Sequence, residues 1–389
     1  MDSNTGRPKG PARPDLSIPF LKPLPVRLST LVDELEQIEA SGVFTNFGPV
    51  NARFEQATVD QLFGGIGSCL TVSNATLGLM LAIRNAVGDN KERRRYALMP
   101  AFTFAATAHA ALWSGLTPLL CDIDPDTWTP SADAEAALLE AYAGQIAVAV
   151  PYATFGNGVD LTRYDRLSRR HGVPVVIDAA ASLGSLDDTG QGFGAGFAQP
   201  IVFSMHATKP FATSEGGLIY AADPDLIRRL RAMANFGFDT PRIASLPGLN
   251  AKLPEVCALL GLARLDGFAG LVARREATVA RYAAQLPGFT FQRRVGQRQA
   301  HAFVSALLPE AAVPRRPEVM RRLAEAGVGA ATYFSPHLAE HPFFEPTCVR
   351  GDLAVTERIA RAVVSLPISD TIAPAEVDYV CQTLREACQ

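Results

Sequence analysis

From Cys69 to Ala222 short apolar runs alternate with stretches of helical periodicity, and this alternation limits the fold more than any other feature of the chain. The runs at 69–73, 96–100, 117–123, 146–151, 173–178, 200–205 and 217–221 are apolar at nearly every position, not at every second one. Strands buried on both faces read this way. Helical patterns at 76–87, 104–114, 131–142 and 161–171 lie between them. Strands alternating with helices predict an α/β fold with a mostly parallel, doubly wound sheet. In such sheets ligands bind beyond the carboxyl ends of the strands, where Ser73, Pro100, Asp178 and Ser204 fall.

The pattern then changes. A helix is predicted at 225–235, followed by a long helical pattern at 254–286 with Arg274, Arg275 and Arg281 on its polar side. Strand candidates at 289–293 and 301–307 and helices at 317–326 and 374–386 read as α+β. The expected organisation is a polar, Pro- and Gly-rich arm over 1–18, a large α/β domain over 19–250 and a smaller C-terminal domain over 251–389. An apolar content of 48% and a charged content of 19% fit a soluble globular protein. A net charge of −3 gives no argument for nucleic acid or an anionic membrane surface. No apolar run is long enough to span a bilayer, and 1–15 lack a signal core. The six scattered cysteines form no C-x-x-C, which predicts free thiols in a reducing cytoplasm and no zinc site.

Two strand ends carry the chemistry. One run ends at Asp178; another ends at Ser204, with Lys209 five residues later and Glu215-Gly216-Gly217 beyond. A carboxylate ending a buried strand needs a cationic or hydrogen-bonding partner. A lysine and an aspartate so placed can hold pyridoxal phosphate. The amine joins the aldehyde, and the carboxylate keeps the ring nitrogen protonated and the ring electron-accepting. Singly, each has a plainer reading: Asp178 as a cap or structural ion pair, and Lys209, kept out of a regular helix by Pro210, as a solvated side chain.

Ser73-Asn74-Ala75-Thr76 joins a strand to a helix. Free N–H groups and the helix dipole make such a turn a phosphate cradle, to which the Thr76 hydroxyl and Ser204 can add donors; an ordinary N-cap looks the same. Phe104 follows a strand end, where an aromatic either lies on a cofactor ring or is plain core. His337-x-x-x-His341 has metal-ligand spacing, but Pro336 and Pro342 flank it, and it reads as a loop. Gly192-x-Gly194-x-Gly196 precedes a strand instead of following one, which excludes a dinucleotide fingerprint.

In their order along the chain these pieces resemble the DegT-type nucleotide-sugar aminotransferases, pyridoxal-phosphate enzymes of fold type I. The resemblance runs from about Leu21 to the C-terminus. It starts at Ser41-Gly42-Val43-Phe44-Thr45-Asn46-Phe47-Gly48-Pro49, before the pair Phe54-Glu55, and continues through Ser73 to Thr76, the segment 100–107 and Cys121-Asp122-Ile123-Asp124. Next come 156–160, Asp178-Ala179-Ala180, and 204–209 with Glu215-Gly216-Gly217. The resemblance implies Lys209 as attachment point and proton carrier, with His206 beside it as a further catalytic candidate. It implies Asp178 on the ring nitrogen, Phe104 stacked on the ring, and Ala75, Thr76 and Ser204 on the phosphate. Gly248-Leu249-Asn250 resembles a segment that reaches the neighbouring subunit's phosphate, so Asn250 implies a homodimer with shared sites. Phe47, Tyr333 and His337 are implied as substrate-side residues, the last two in Thr332-Tyr333-Phe334-Ser335-Pro336-His337.

Two positions depart from the family pattern. Ala181, followed by Ser182, stands where Gln is common, and Ala75 replaces a common Gly. With Asn74 and the 333–337 loop, the resemblance leans towards the branch that aminates carbon 4 of a dTDP-4-keto-6-deoxyhexose, with glutamate as donor. Some relatives carry His in place of the lysine and dehydrate their substrates; Lys209 argues against that chemistry. The alternatives are a pyridoxal-phosphate lyase or desulfurase acting on an amino acid, which a reactive cysteine near Lys209 would favour, and a non-catalytic binding or regulatory protein of the same fold.

Overall fold

The structure is a computed structural model that describes residues 17–88, 94–240 and 242–389. The seven expected strands are present as β1 (Ser68–Val72), β2 (Tyr96–Pro100), β3 (Thr117–Cys121), β4 (Ile146–Ala149), β5 (Ile177–Asp178), β6 (Ile201–Ser204) and β7 (Gly217–Ala221). Two four-stranded arrays, one with β4 at its edge and one with β5, are linked by isolated parallel bridges, Ala149 to Val175 and Tyr152 to Asp178. β2, β3 and β4 pair in parallel, as do β5 and β6; β7 runs antiparallel to β6 and β1. The α/β, mostly parallel expectation holds. Regular pairing is shorter than the apolar runs where proline removes a donor: β4 stops before Pro151, and Pro174 delays β5.

Two helices precede β1: α1 (Val32–Ser41) and α2 (Pro49–Leu62). Crossover helices α3 (Ala75–Val87), α4 (Ala105–Trp113), α5 (Ala132–Ala141) and α6 (Leu161–His171) cover the sheet, and α7 (Pro224–Met233) follows β7. Side chains of Asn74, Ser131, Asp160 and Asp223 cap α3, α5, α6 and α7, accepting from first-turn N–H groups. A hairpin, β8 (Phe238–Thr240) and β9 (Ile243–Ala244), leads to α8 (Glu255–Leu265) and α9 (Phe268–Gln285). The single pattern expected at 254–286 is thus two helices, bent by 66° at Asp266 and Gly267. Gly267 there has φ +68°, a left-handed conformation that ends the helical ladder.

The C-terminal third forms an antiparallel sheet of β10 (Thr290–Phe291), β11 (Val304–Leu307) and β13 (Val363–Leu366), packed by α10 (Arg316–Glu325) and α12 (Pro374–Cys388). β12 (Val349–Arg350) leaves this unit and pairs in parallel with β3 at the edge of the large sheet; α11 (Ala354–Ala362) follows it. The expected boundary at residue 250 falls just before Leu253, Ala258, Leu259 and Phe268, which share one apolar core with Phe54 and Phe203. The second unit's core includes Tyr282, Leu286, Val304, Val380 and, from the other end of the chain, Ile18. Most of the expected arm 1–18 lies outside the described residues. Its last residue, Ile18, is tied to the C-terminal third: its N–H donates to the Gly327 carbonyl and its carbonyl accepts from Gly329.

Candidate active site

The carboxyl ends of the central strands open into a cavity of about 730 Å³. Asp178 ends β5 and Ser204 ends β6. Ala75 and Thr76 start α3, and Phe104 is the residue before α4. All five line the cavity with His206 and Lys209, and Phe303, Tyr333 and Phe334 wall it from the C-terminal third.

Asp178 is 2% exposed. The Thr107 hydroxyl donates to its Oδ2 at 2.6 Å, and the Ala180 N–H donates to its Oδ1 at 3.1 Å. Thr107 has one proton, and Asp178 takes it. The Thr103 hydroxyl, 3.0 Å away, is therefore the donor to Thr107. Burial pushes the Asp178 carboxyl above its usual range, and these donors with the Lys209 charge only partly offset that. The site thus holds a carboxylate that a cation in the cavity would stabilise.

Lys209 sits on a loop whose ends are cross-linked. Met205 N–H donates to the Gly216 carbonyl, Ala207 N–H to Ser214 and Lys209 N–H to His206. Burial holds the Lys209 amine below its ordinary pKa, with Asp178 pulling the other way. A neutral amine is the form that attacks an aldehyde. His206 is engaged on both sides: Nδ1 lies 2.8 Å from the Thr208 hydroxyl and Nε2 3.5 Å from a Glu215 oxygen. At the start of α3, Asn74 Oδ1 accepts from Leu77 N–H. The N–H groups of Ala75 and Thr76 have no acceptor among the described residues. They point a helix N-terminus at the cavity with donors to spare. β7 backs this turn closely, since a Cβ on Gly217 would lie 2.7 Å from the Ala75 nitrogen.

The model of the DegT/DnrJ/EryC1/StrS aminotransferase family matches residues 28–385. The chain belongs to this family. A solved putative PLP-dependent aminotransferase from Bacillus cereus ATCC 10987 is 36% identical, with a TM-score of 0.89 over 95% of this chain and 99% of that one. The structure of DesI with its TDP-sugar product is 32% identical, with a TM-score of 0.85 over 97% and 95%. A dTDP-4-amino-4,6-dideoxy-D-glucose transaminase of Shigella dysenteriae is 27% identical over 92% of this chain and 96% of its own length.

As a member of the family, the chain is a pyridoxal-phosphate-dependent aminotransferase. Its own residues fit that cofactor: an under-partnered buried carboxylate, a lysine that burial drives towards the neutral amine, and unaccepted N–H groups at a helix start. Three residues expected at the site do not line this chain's cavity. Phe47 packs instead under the Arg231 guanidinium, 4.8 Å from the ring centroid. Asn250 is exposed and bridges Asn235. His337 is 1% exposed, so it offers no polar handle to a ligand there; Glu340 lies 3.6 Å from its Nε2, and burial depresses its pKa. The structure adds Thr107, Tyr152 and Phe303, which the sequence reading left without roles. Thr107 had a signal, a hydroxyl in the alanine-rich start of α4. Tyr152 is brought to Asp178 by the β4–β5 bridge, which no local pattern announces.

Proposed function

We propose that the enzyme moves an amino group from glutamate to a nucleotide-linked 4-keto-6-deoxyhexose. The observation that carries this reading is the cavity itself, which joins Lys209, Asp178 and the α3 turn to an aromatic wall of Phe303, Tyr333 and Phe334. Bound pyridoxal phosphate supplies the electron sink for transamination. Thr76, Ser204 and the Ala75 and Thr76 N–H groups would hold its phosphate, Phe104 would pack against its ring, and Asp178 would keep its nitrogen charged. Lys209 Nζ would take the proton from the α-carbon of glutamate in the first half of the reaction and supply one to the sugar carbon that receives the nitrogen in the second. The aromatic wall matches the apolar faces of a deoxyhexose, and the relatives that act on dTDP-linked amino sugars support the substrate class.

Nitrogen-labelled glutamate offered with a panel of keto sugars tests the reading: label is expected in a 4-amino-6-deoxy product. Amination of only 3-keto sugars or free keto acids would overturn it. Tyr333→Ala is expected to lower kcat/KM for the keto sugar about tenfold or more, the scale of a lost aromatic contact. Glutamate is smaller and does not span the wall, so its half of the reaction should change less than twofold.

The active form in this proposal is a cytoplasmic homodimer whose sites are shared. Neither Asn250 nor Phe47 lines its own chain's cavity, which supports a role for them at a neighbouring subunit's site. Mixing Asn250→Ala chains with Lys209→Ala chains is then expected to restore activity, because a mixed dimer contains one intact site. Mixed dimers without activity would exclude a shared site.

A further inference from the structure

Next to the cavity, and sharing Leu21, Thr208 and Lys209 with it, lies a narrow crevice also bordered by Lys22, Leu24, Arg275 and Asp370. Asp370 is the only carboxylate among the residues bordering it, and it holds two arginines. Its Oδ2 accepts from Arg264 Nη2 at 3.1 Å; its Oδ1 accepts from Arg275 Nε at 3.0 Å and Nη2 at 2.8 Å. All three side chains are close to buried, at 12% exposed for Arg264 and Asp370 and 8% for Arg275.

Both guanidiniums also donate to backbone carbonyls. Arg264 Nε donates to the Ala212 carbonyl at 3.2 Å, and its Nη2 donates to Leu24 at 2.9 Å. Arg275 Nη1 donates to the His301 carbonyl at 3.0 Å. Ala212 belongs to the lysine's loop, three residues past Lys209. Leu24 follows the segment whose Leu21 lines the cavity, and His301 precedes Phe303 of the aromatic wall. Asp370 comes from the C-terminal third, just after β13. One carboxylate therefore joins the lysine's loop, the segment at Leu24 and the stretch that leads to Phe303. The apolar side of the same joint is Phe211, in the lysine's loop, packed between Phe54 and Phe268.

Such a cluster is costly to build, because three charges leave water. Its geometric return is rigidity: planar guanidiniums fix several acceptors at once. We infer that Asp370, acting through Arg264 and Arg275, is the positioning residue that holds the Lys209 loop in register with the C-terminal half of the cavity. It does not line the cavity. The inference rests on Lys209 being the attachment point.

The test uses cofactor-free protein to which pyridoxal phosphate is added, followed by borohydride at set times and mass analysis of the Lys209 peptide. In Asp370→Asn, attachment at Lys209 should slow by about tenfold or more, the scale on which a misplaced reacting group loses rate. In the reloaded enzyme kcat should fall by a similar factor while both KM values stay within about threefold. Removing one partner of a buried charge cluster can prevent folding, so Arg264→Lys is the second variant. It keeps the ion pair with Asp370, but a single ammonium lacks the fork that serves Asp370, Ala212 and Leu24 together. A smaller slowing in the same direction is expected. A purely structural role would lower Tm yet leave the attachment rate of folded molecules unchanged. Attachment within twofold of the parent rate in either folded variant overturns the inference. A parent protein that attaches no cofactor at Lys209 would instead overturn the reading beneath it.

Discussion

Lys209→Ala is expected to abolish turnover, by about 10⁴-fold, the upper end of what one positioned acid–base group contributes. The reason is double duty. In the proposed mechanism the same amine holds the cofactor and carries the proton, and no other lysine among the described residues lines the cavity. Burial keeps this amine neutral at lower pH than a solvated lysine. Its reactive fraction is lost as pH falls through that depressed value. Borohydride should therefore fix cofactor on the Lys209 peptide at a pH where surface lysines remain charged and unlabelled. Lys209→Arg should be equally inactive, since it restores charge without a nucleophile. Label on a different lysine, or an active Ala variant, would refute the assignment.

Asp178→Asn should lower kcat by a hundredfold or more, roughly 3 kcal/mol, the scale of one lost preorganised electrostatic contact. The substitution is nearly isosteric. The amide oxygen can accept from the Ala180 N–H while the amide NH2 donates to Thr107, whose hydroxyl turns to Thr103, so the fold around β5 should survive and cofactor should still bind. What disappears is the negative charge that a protonated ring nitrogen requires. The readout is kcat set beside cofactor affinity: a large loss in the first with a small loss in the second. Near-normal kcat in the Asn variant would end this role for Asp178.

The architecture was legible in the sequence because each central strand is buried on both faces, which leaves an unbroken apolar run such as Ile146 to Ala149. Strand order was not, because it depends on bridges such as Ala149 to Val175 between distant segments. The bend at Gly267 was hidden by a helical pattern that continues in phase across it. Asp178, Lys209 and the α3 turn stood out because charge and cap residues are rare at buried strand ends. Thr107 and Phe303 did not, because a threonine in a helix and a phenylalanine near a strand are commonplace until the fold sets them against a cavity. His337 shows the opposite error. A histidine beside Tyr333 in sequence promised a polar contact, yet the turn through Pro336 carries it into the interior.

The pairing of β12 with β3 sets a timetable for the chain as it is made. Strand β3 has Leu119 and Leu120 at the outer edge of the large sheet, and their partners are Val349 and Arg350. Residues 117–121 therefore emerge from the ribosome well over two hundred residues before the strand that covers them. Until then the nascent protein carries an open, apolar sheet edge, the kind of surface on which chains aggregate. The segment at Ile18 waits longer still, since its partners Gly327 and Gly329 lie farther along the chain from it than β12 does from β3. Neither unit is finished by a contiguous stretch of sequence, and a nascent chain halted after the last crossover should need a chaperone that the complete one does not.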